Sequence, residues 1–313
     1  MKKIAKLSGI VLASLAILLV GCKKDPDEPV STPIEIPTDA VRFYADNPDA
    51  TDWSIYGVED LEALSEIVND GDDFAGKTVT VKRDIVINNN LLSEDFDAPE
   101  EGEDASPNPN FKNLNSIGTG ASPDSATVNP FKGTFDGNGK VISGLYMYQG
   151  HQGLGLIGIA DGATVKNVII LDACVINKNV QVKSDGSHDG ADDDRFGGLV
   201  GATQGEGVTI ENCLFVGVLG SETAKKRGSP YEYIGGLIGR CEATSSASDS
   251  FVFVKIHGSR EDSTDFACGR KPENLSRTNI NGEDDKGVEV SSYDEEIAAQ
   301  VLDAVAAVKA NLQ

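Results

Sequence analysis

What this chain has little of narrows its class first. Positive charge is scarce: 27 Lys plus Arg stand against 50 Asp plus Glu in 313 residues, a formal net charge of -23. Such a chain repels a phosphate backbone instead of gathering it through counterion release, which excludes nucleic acid as a partner. Aromatic residues make up only 6%, and the three histidines, His151, His188 and His257, sit in three different neighbourhoods. Neither a His-Glu-x-x-His pair nor a serine elbow is present, so two common hydrolase signatures are missing. The apolar run Ile10 to Val20 is too short to cross a bilayer comfortably. Glycine, by contrast, is plentiful at 34 residues, with 12 prolines, and 39% of the chain is hydrophobic. Wholesale disorder is thereby excluded, and many tight turns between short elements favour a β-rich chain over a helical bundle.

The amino terminus reads as an export signal. Lys2, Lys3 and Lys6 form a positive head before the apolar run, and Gly21 supplies the small residue before a cut, the pattern of a secretory signal peptide over residues 1–21. Leu19, Val20, Gly21 and Cys22 resemble a bacterial lipobox, which implies that Cys22 is acylated and begins the mature chain. Acyl chains contribute about 0.8 kcal/mol per buried methylene, so a multiply acylated cysteine holds a soluble domain on a membrane. The following Lys23, Lys24, Asp25, Pro26, Asp27 and Glu28 are similar to the charged export tags of surface lipoproteins in the Bacteroidetes, and equally to a plain solvated spacer. Residues 22–40 are expected to be a lipidated, extended linker, because their proline and charge cannot form a core. The expected location is the cell envelope, as an outer-membrane lipoprotein on either its periplasmic or its outer side.

A repeat sets the architecture. The tetrad Gly155-Leu156-Ile157-Gly158 returns as Gly198-Leu199-Val200-Gly201 and Gly236-Leu237-Ile238-Gly239, with a degraded copy at Phe266-Ala267-Cys268-Gly269. A second signal follows each of the first three: Asn167-Val168-Ile169-Ile170, Asn212-Cys213-Leu214-Phe215 and Ser250-Phe251-Val252-Phe253. The closing glycines are 43, 38 and 30 residues apart, and the surplus in the longest interval falls in the acidic stretch 184–194. A unit of about thirty residues with several short apolar strands cannot bury its own inner face, so it must stack on neighbours. The expected fold is all-β: a right-handed parallel β-helix of about six coils spanning residues 41–290, with a short helix at its amino-terminal end and another at the carboxy terminus, residues 291–313. Val168, Cys213 and Phe251 are expected to form one inward ladder, and Ile170, Phe215 and Phe253 another. A Greek-key sandwich is the competing fold, and it predicts no equivalence between positions thirty or forty residues apart.

The tetrads, with the segments 131–142 (Phe131 to Ile142) and 74–85 (Phe74 to Ile85), resemble those of GLUG-motif β-helix proteins found among bacterial surface proteins and adhesins. The resemblance covers about residues 55 to 270. It implies a binding or adhesion scaffold and carries over no catalytic residue.

Two helices are expected at the ends. Residues 59–69 place Leu61, Leu64 and Val68 on one face with Asp60 near the positive start. Ser292-Tyr293-Asp294-Glu295 has the form of a capping box before Ile297, Val301, Val305, Val308 and Leu312 at helical spacing. Alternation along the strands then turns Ile169, Leu171, Leu214, Val216, Val252 and Val254 outward as an apolar face. Either the carboxy-terminal helix packs there as a second layer, or a partner binds it.

Candidate chemistry is sparse. Asp84, Asp136, Lys140, Arg195, Arg240 and Arg270 are the residues a polysaccharide lyase or hydrolase of this architecture would have to bring together, while Asp136-Gly137-Asn138-Gly139 also reads as a tight turn. Asp185, Ser187 and Asp189 offer alternate oxygens before Gly190, with Asp193 beyond, as in a calcium loop, although Phe196 stands where the closing carboxylate belongs. A solvated acidic loop is the other reading. Besides Cys22 there are Cys174, Cys213, Cys241 and Cys268, with no metal-ligand spacing, and Cys241 and Cys268 fall at roughly corresponding places, where a bridge is conceivable. The sequence thus leads to a lipid-anchored, non-catalytic scaffold binding a host protein, a glycan or an envelope partner. A polysaccharide-processing enzyme or glycan-capturing accessory is the alternative.

Overall fold

The computed structural model describes residues 36–93, 108–119, 127–149, 153–177, 195–221, 233–257, 265–281 and 285–312. The chain enters through a 3-10 turn, Val41–Asp46, followed by strand β1 (Asp52–Ile55), helix α1 (Val58–Asn69), β2 (Thr78–Val81) and β3 (Ile85–Val86). Next come β4 (Thr134–Asp136), β5 (Val141–Ser143) and β6 (Tyr146–Gln149). The following passes repeat one order: β7 (Ile157–Ala160), β8 (Ala163–Lys166) and β9 (Ile169–Asn177), then β10 (Arg195–Gly197), β11 (Val200–Thr203), β12 (Val208–Glu211) and β13 (Leu214–Ser221). After β14 (Tyr233–Gly235) and β15 (Ile238–Cys241), β16 (Ser245–His257) runs unbroken through the corner that separates two strands in the earlier passes. The chain closes with β17 (Cys268–Arg270), β18 (Leu275–Ile280), β19 (Val288–Glu289) and helix α2 (Glu295–Ala310).

All pairings between these strands are parallel, and the sheet they form is strongly curled. A first stack runs β1-β2-β4-β8-β12-β16, with β18 beyond, and a second runs β3-β5-β9-β13-β16, with β19 beyond. The third, β7-β11-β15-β17, is made of the tetrads: Ile157 lies opposite Val200, Val200 opposite Ile238 and Ile238 opposite Cys268. The equivalence expected from spacing is therefore physical, and an antiparallel sandwich is excluded. The tetrad glycines are required by close approach of two passes of chain. Leu154, Phe196 and Ile234 form a fully buried row packed against the third stack, where a Cβ on Gly201 would lie 2.5 Å from Gly153 and one on Gly239 would lie 2.6 Å from the Phe196 backbone.

Inside the curl the first stack contributes Trp53, Val79, Phe135, Val165, Ile210 and Ala247, all buried in one core. The next inward position is Arg277, opposite Ala247. Its guanidinium meets Asp265 at 2.6 Å and donates to the Asp285 carbonyl at 2.8 Å, so this inward row ends in a paired charge, while Leu275 and Ile280 of the same strand remain in the apolar core. The amino-terminal end is closed by α1, which buries Leu61, Leu64 and Val68 as its period required. Arg42 donates to the fully buried Asp60 at 2.5 Å, and Asp60 also accepts from the Tyr56 amide. The folded part begins earlier than the expected linker boundary at residue 40. Ala40 is fully buried and bridges Ser54, which bonds Asp39 through both its amide and its hydroxyl.

The corner between the first and second stacks explains why the strands hold register. Asn167, Asn212, Asp249 and Asn279 occupy equivalent positions there with φ of 55°, 54°, 49° and 59°. Asn and Asp tolerate this left-handed conformation because their short polar side chains bond locally. Here they also bond along the stack: Asn167 to Asp136 at 3.0 Å, Asn212 to Asn167 at 2.9 Å and Asn279 to Asp249 at 2.8 Å. Because Asp249, and not Ser250, continues this row, the expected ladders slip by one residue in β16. The inward sets are Val168, Cys213 and Ser250, then Ile170, Phe215 and Val252; Phe251 and Phe253 point outward. A slip of one residue exchanges the two faces of a strand, so Val252 and Val254, expected outside, lie in the inner core.

Replacement of Asn212 separates the two contributions. Asn212→Gly keeps the left-handed corner and loses only the amide bonds, an expected cost of about 1–2 kcal/mol. Asn212→Ala adds backbone strain of roughly 1–2 kcal/mol, so urea unfolding should rank wild type above the glycine variant and the glycine variant above the alanine one.

Candidate functional site

The apolar outer face singled out in the strands is real in part, and it is occupied. Ile169, Leu171, Leu214 and Val216, joined by Val141 and Phe253, pack against Val301, Ala304 and Val308 of α2. The helix starts at Asp294, whose carboxylate accepts from the Ile297 amide at 3.1 Å; the cap is therefore Asp294 and not Ser292. Polar contacts fix its placement at both ends. Tyr293 donates its hydroxyl to the Gly217 carbonyl at 2.7 Å and sits in a buried site that pushes its pKa up. Asn212 donates to the Val308 carbonyl at 2.9 Å, which ties the helix to the corner row. Farther along the same face, β9 bulges so that Leu171 and Asp172 stand against Val216 alone. The bulged Asp172 accepts from the Leu91 and Leu92 amides, and burial raises its pKa despite those bonds.

The six residues considered for catalysis divide between two places. Asp84 accepts from the Val141 amide at 2.9 Å, and Asp136 accepts from Asn138 and Asn167, both holding the corner of the first stack. Lys140 lies one residue before β5 at that corner. Arg240 and Arg270 lie opposite each other in the third stack, and Arg195 begins β10, which pairs with β14 beside it. There Glu242 forms ion pairs with Arg240 and Lys271. Burial alone would raise the Glu242 carboxyl, yet the Lys271 hydrogen bond and the charges of Arg240, Lys271 and Arg195 hold it below its ordinary value.

Cys22 and the calcium candidates Asp185, Ser187, Asp189 and Asp193 lie outside the described residues, as do His151 and His188. Among the described residues no group of three His, Cys, Asp or Glu is placed to hold a metal ion. Nor is any helix there long and apolar enough to cross a membrane. The four described cysteines are free thiols. Cys268 lies opposite Ile238, three residues from Cys241, so the two do not correspond along the stack as expected. They still influence each other, the proximity of the two thiols lowering the Cys241 pKa and raising that of Cys268, while each thiol donates to a backbone carbonyl, Cys241 to Ala243 and Cys268 to Arg270. Burial pushes Cys213, an inward core residue, up to about 12.

One surface feature escaped the sequence reading. The outer face of the first stack carries Thr or Ser at one equivalent position on six successive strands, Thr78, Thr134, Thr164, Thr209, Ser246 and Ser276. The signal exists in the sequence, but it emerges only once register is known. No protein-family model matches this chain, and no curated protein or solved structure matches it either.

Truncation before Tyr293 would uncover Leu214, Val216 and Phe253; a lower melting temperature and binding of a hydrophobic dye are the expected results. For Glu242, the depressed folded pKa means that the cluster contributes stability above the unfolded-state glutamate pKa and loses it as pH falls through the folded one. Glu242→Gln should therefore cost about 0.5–1 kcal/mol at neutral pH, given its partial exposure. Denaturant titrations of both proteins should converge in acid.

Proposed function

We propose that this chain is a lipid-anchored cell-envelope protein, held at Cys22, whose right-handed parallel β-helix of about six coils is a non-catalytic scaffold. Its role is adhesion, or binding of a host protein, a glycan or an envelope partner. The observation that carries this reading is the in-register stacking of Ile157, Val200, Ile238 and Cys268 in a parallel sheet, since such a stack presents long, rigid, regularly spaced outer surfaces. Seven strands of the first stack are joined by six passages of chain, on which the coil number rests. The GLUG-like tetrads support the class of surface protein. A catalytic reading draws less support, because Asp84, Asp136 and Lys140 sit at the first-stack corner while Arg195, Arg240 and Arg270 sit at the third stack.

Protease treatment of intact cells expressing the full chain tests location. Release of the folded part from whole cells would place it on the outer side and retention on the periplasmic side, and Cys22→Ser should move the protein to the soluble fraction; a Cys22→Ser protein that stays with the membrane would refute the anchor. Incubation with polysaccharides followed by product analysis should leave the sugars uncut, and shortened chains would replace the scaffold by an enzyme.

A further inference from the structure

The row of hydroxyls on the first stack has properties that the other outer faces lack. Thr78, Thr134, Thr164, Thr209, Ser246 and Ser276 follow one another across neighbouring strands with no charged residue between them. At about 4.8 Å per strand the row is about 24 Å long. Five of the six side chains are half-buried by their neighbours and Ser276 is exposed. None of the six hydroxyls hydrogen-bonds another described residue. Their donors and acceptors therefore face water, free to exchange it for a ligand that reproduces its bonds. The second stack offers no such surface beneath α2, and the glycines of the third are pressed against the Leu154, Phe196 and Ile234 row.

The neighbouring row on the same face defines the shape of what fits. It carries Asp136, Lys166 and Glu211 at its middle, with Lys166 and Asp136 paired at 3.5 Å. On that side the hydroxyl row is bounded by charge, and Asp52 precedes it on the first strand, so the neutral strip over these six strands runs along the stacking axis, the direction in which a linear polymer would lie. Threonine at four consecutive positions also limits side-chain freedom, because a β-branched residue on a strand has few rotamers to lose.

We infer that this row binds a neutral, linear polysaccharide, successive sugars meeting successive strands. This rests on the scaffold reading above and adds to it a ligand class and a face. Hydroxyls exchange hydrogen bonds in both directions with sugar hydroxyls, and the advance of about 4.8 Å per strand is close to that of one sugar in an extended β-linked chain. A net charge of -23 opposes uronate or sulfate chains. No aromatic or large apolar side chain stands in the row to anchor a peptide. Each contact is weak, so binding depends on several strands acting together.

Calorimetric titration of the full chain in detergent with cellohexaose, xylohexaose and mannohexaose, and with hexagalacturonate as the anionic probe, tests the inference. At least one neutral hexasaccharide should bind, its trisaccharide at least about tenfold more weakly. The combined substitution Thr134→Val, Thr164→Val and Thr209→Val keeps the β-branched shape and removes only hydroxyls; it should weaken binding at least about tenfold at an unchanged melting temperature. Thr164→Glu, a single charge in the middle of the row, should do the same and serves if the triple variant fails to fold. Undiminished binding by a folded variant overturns the row while leaving the scaffold. Failure of all three neutral probes, or binding of hexagalacturonate alone, overturns the inference. Cleavage of a probe instead overturns the scaffold reading.

Discussion

The turn from the first stack to the second passes through a single left-handed residue, and the placement of nearly every other side chain follows from it. Asn167, Asn212, Asp249 and Asn279 fill that position on successive passes, where most side chains would strain the backbone. Each contributes more than conformational tolerance. The amides of Asn167, Asn212 and Asn279 each reach a side-chain oxygen of the pass before, so these corners are pinned along the stacking direction by side chains as well as by the strands, whereas Asp249, without an amide, only accepts. A corner fixed in this way sets where the next strand starts, and therefore which of its residues turn inward. Val168 and Cys213 enter the core while Ile169 and Leu214 leave it, because each follows its asparagine by the same number of bonds.

Stacked strands leave two exposed ends and an outer surface, and the chain treats each differently. The amino-terminal end is closed by apolar burial under α1, supported by the Arg42–Asp60 pair. At the carboxy-terminal end one inward row finishes in charge: Arg277 takes the position that aliphatic and aromatic residues hold on earlier strands, and Asp265 neutralises it, beside the still apolar Leu275 and Ile280. A polar end of this kind discourages further stacking on the core, a recognised means of managing open sheet edges. The apolar side of the second stack is covered by α2, and the tie from Asn212 to Val308 makes the cover part of the same corner system.

Much of this was legible before any coordinates. The tetrads stood out because two glycines at fixed separation around Leu and Ile mark a close approach of backbones, and Gly201 and Gly239 make that approach. The carboxy-terminal helix was legible from its period, since Val301 and Val308 repeat at the interval of a buried stripe. The faces of β16 were misread because Ser250-Phe251 imitates Asn-apolar, while the residue that takes the left-handed corner is Asp249. An aspartate in that role has no apolar neighbour to flag it, and the error moved Val252 and Val254 to the wrong side. Arg277 could not be placed at all from pattern, since an arginine between Ser276 and Thr278 reads as an exposed strand residue. The hydroxyl row was hidden for a different reason: its members are separated by unequal lengths of chain, and only the pairing of strands aligns them.

The way the chain enters the fold has a mechanical meaning. Asp39 and Ala40 bond Ser54 on the first strand, Arg42 holds Asp60 on the covering helix, and Tyr44 is clasped between Lys77 and Asp72. A tug on the amino terminus meets these attachments in series, ahead of any strand, so a load arriving from that side is resisted by a short sequence of polar latches before the first strand can be peeled away.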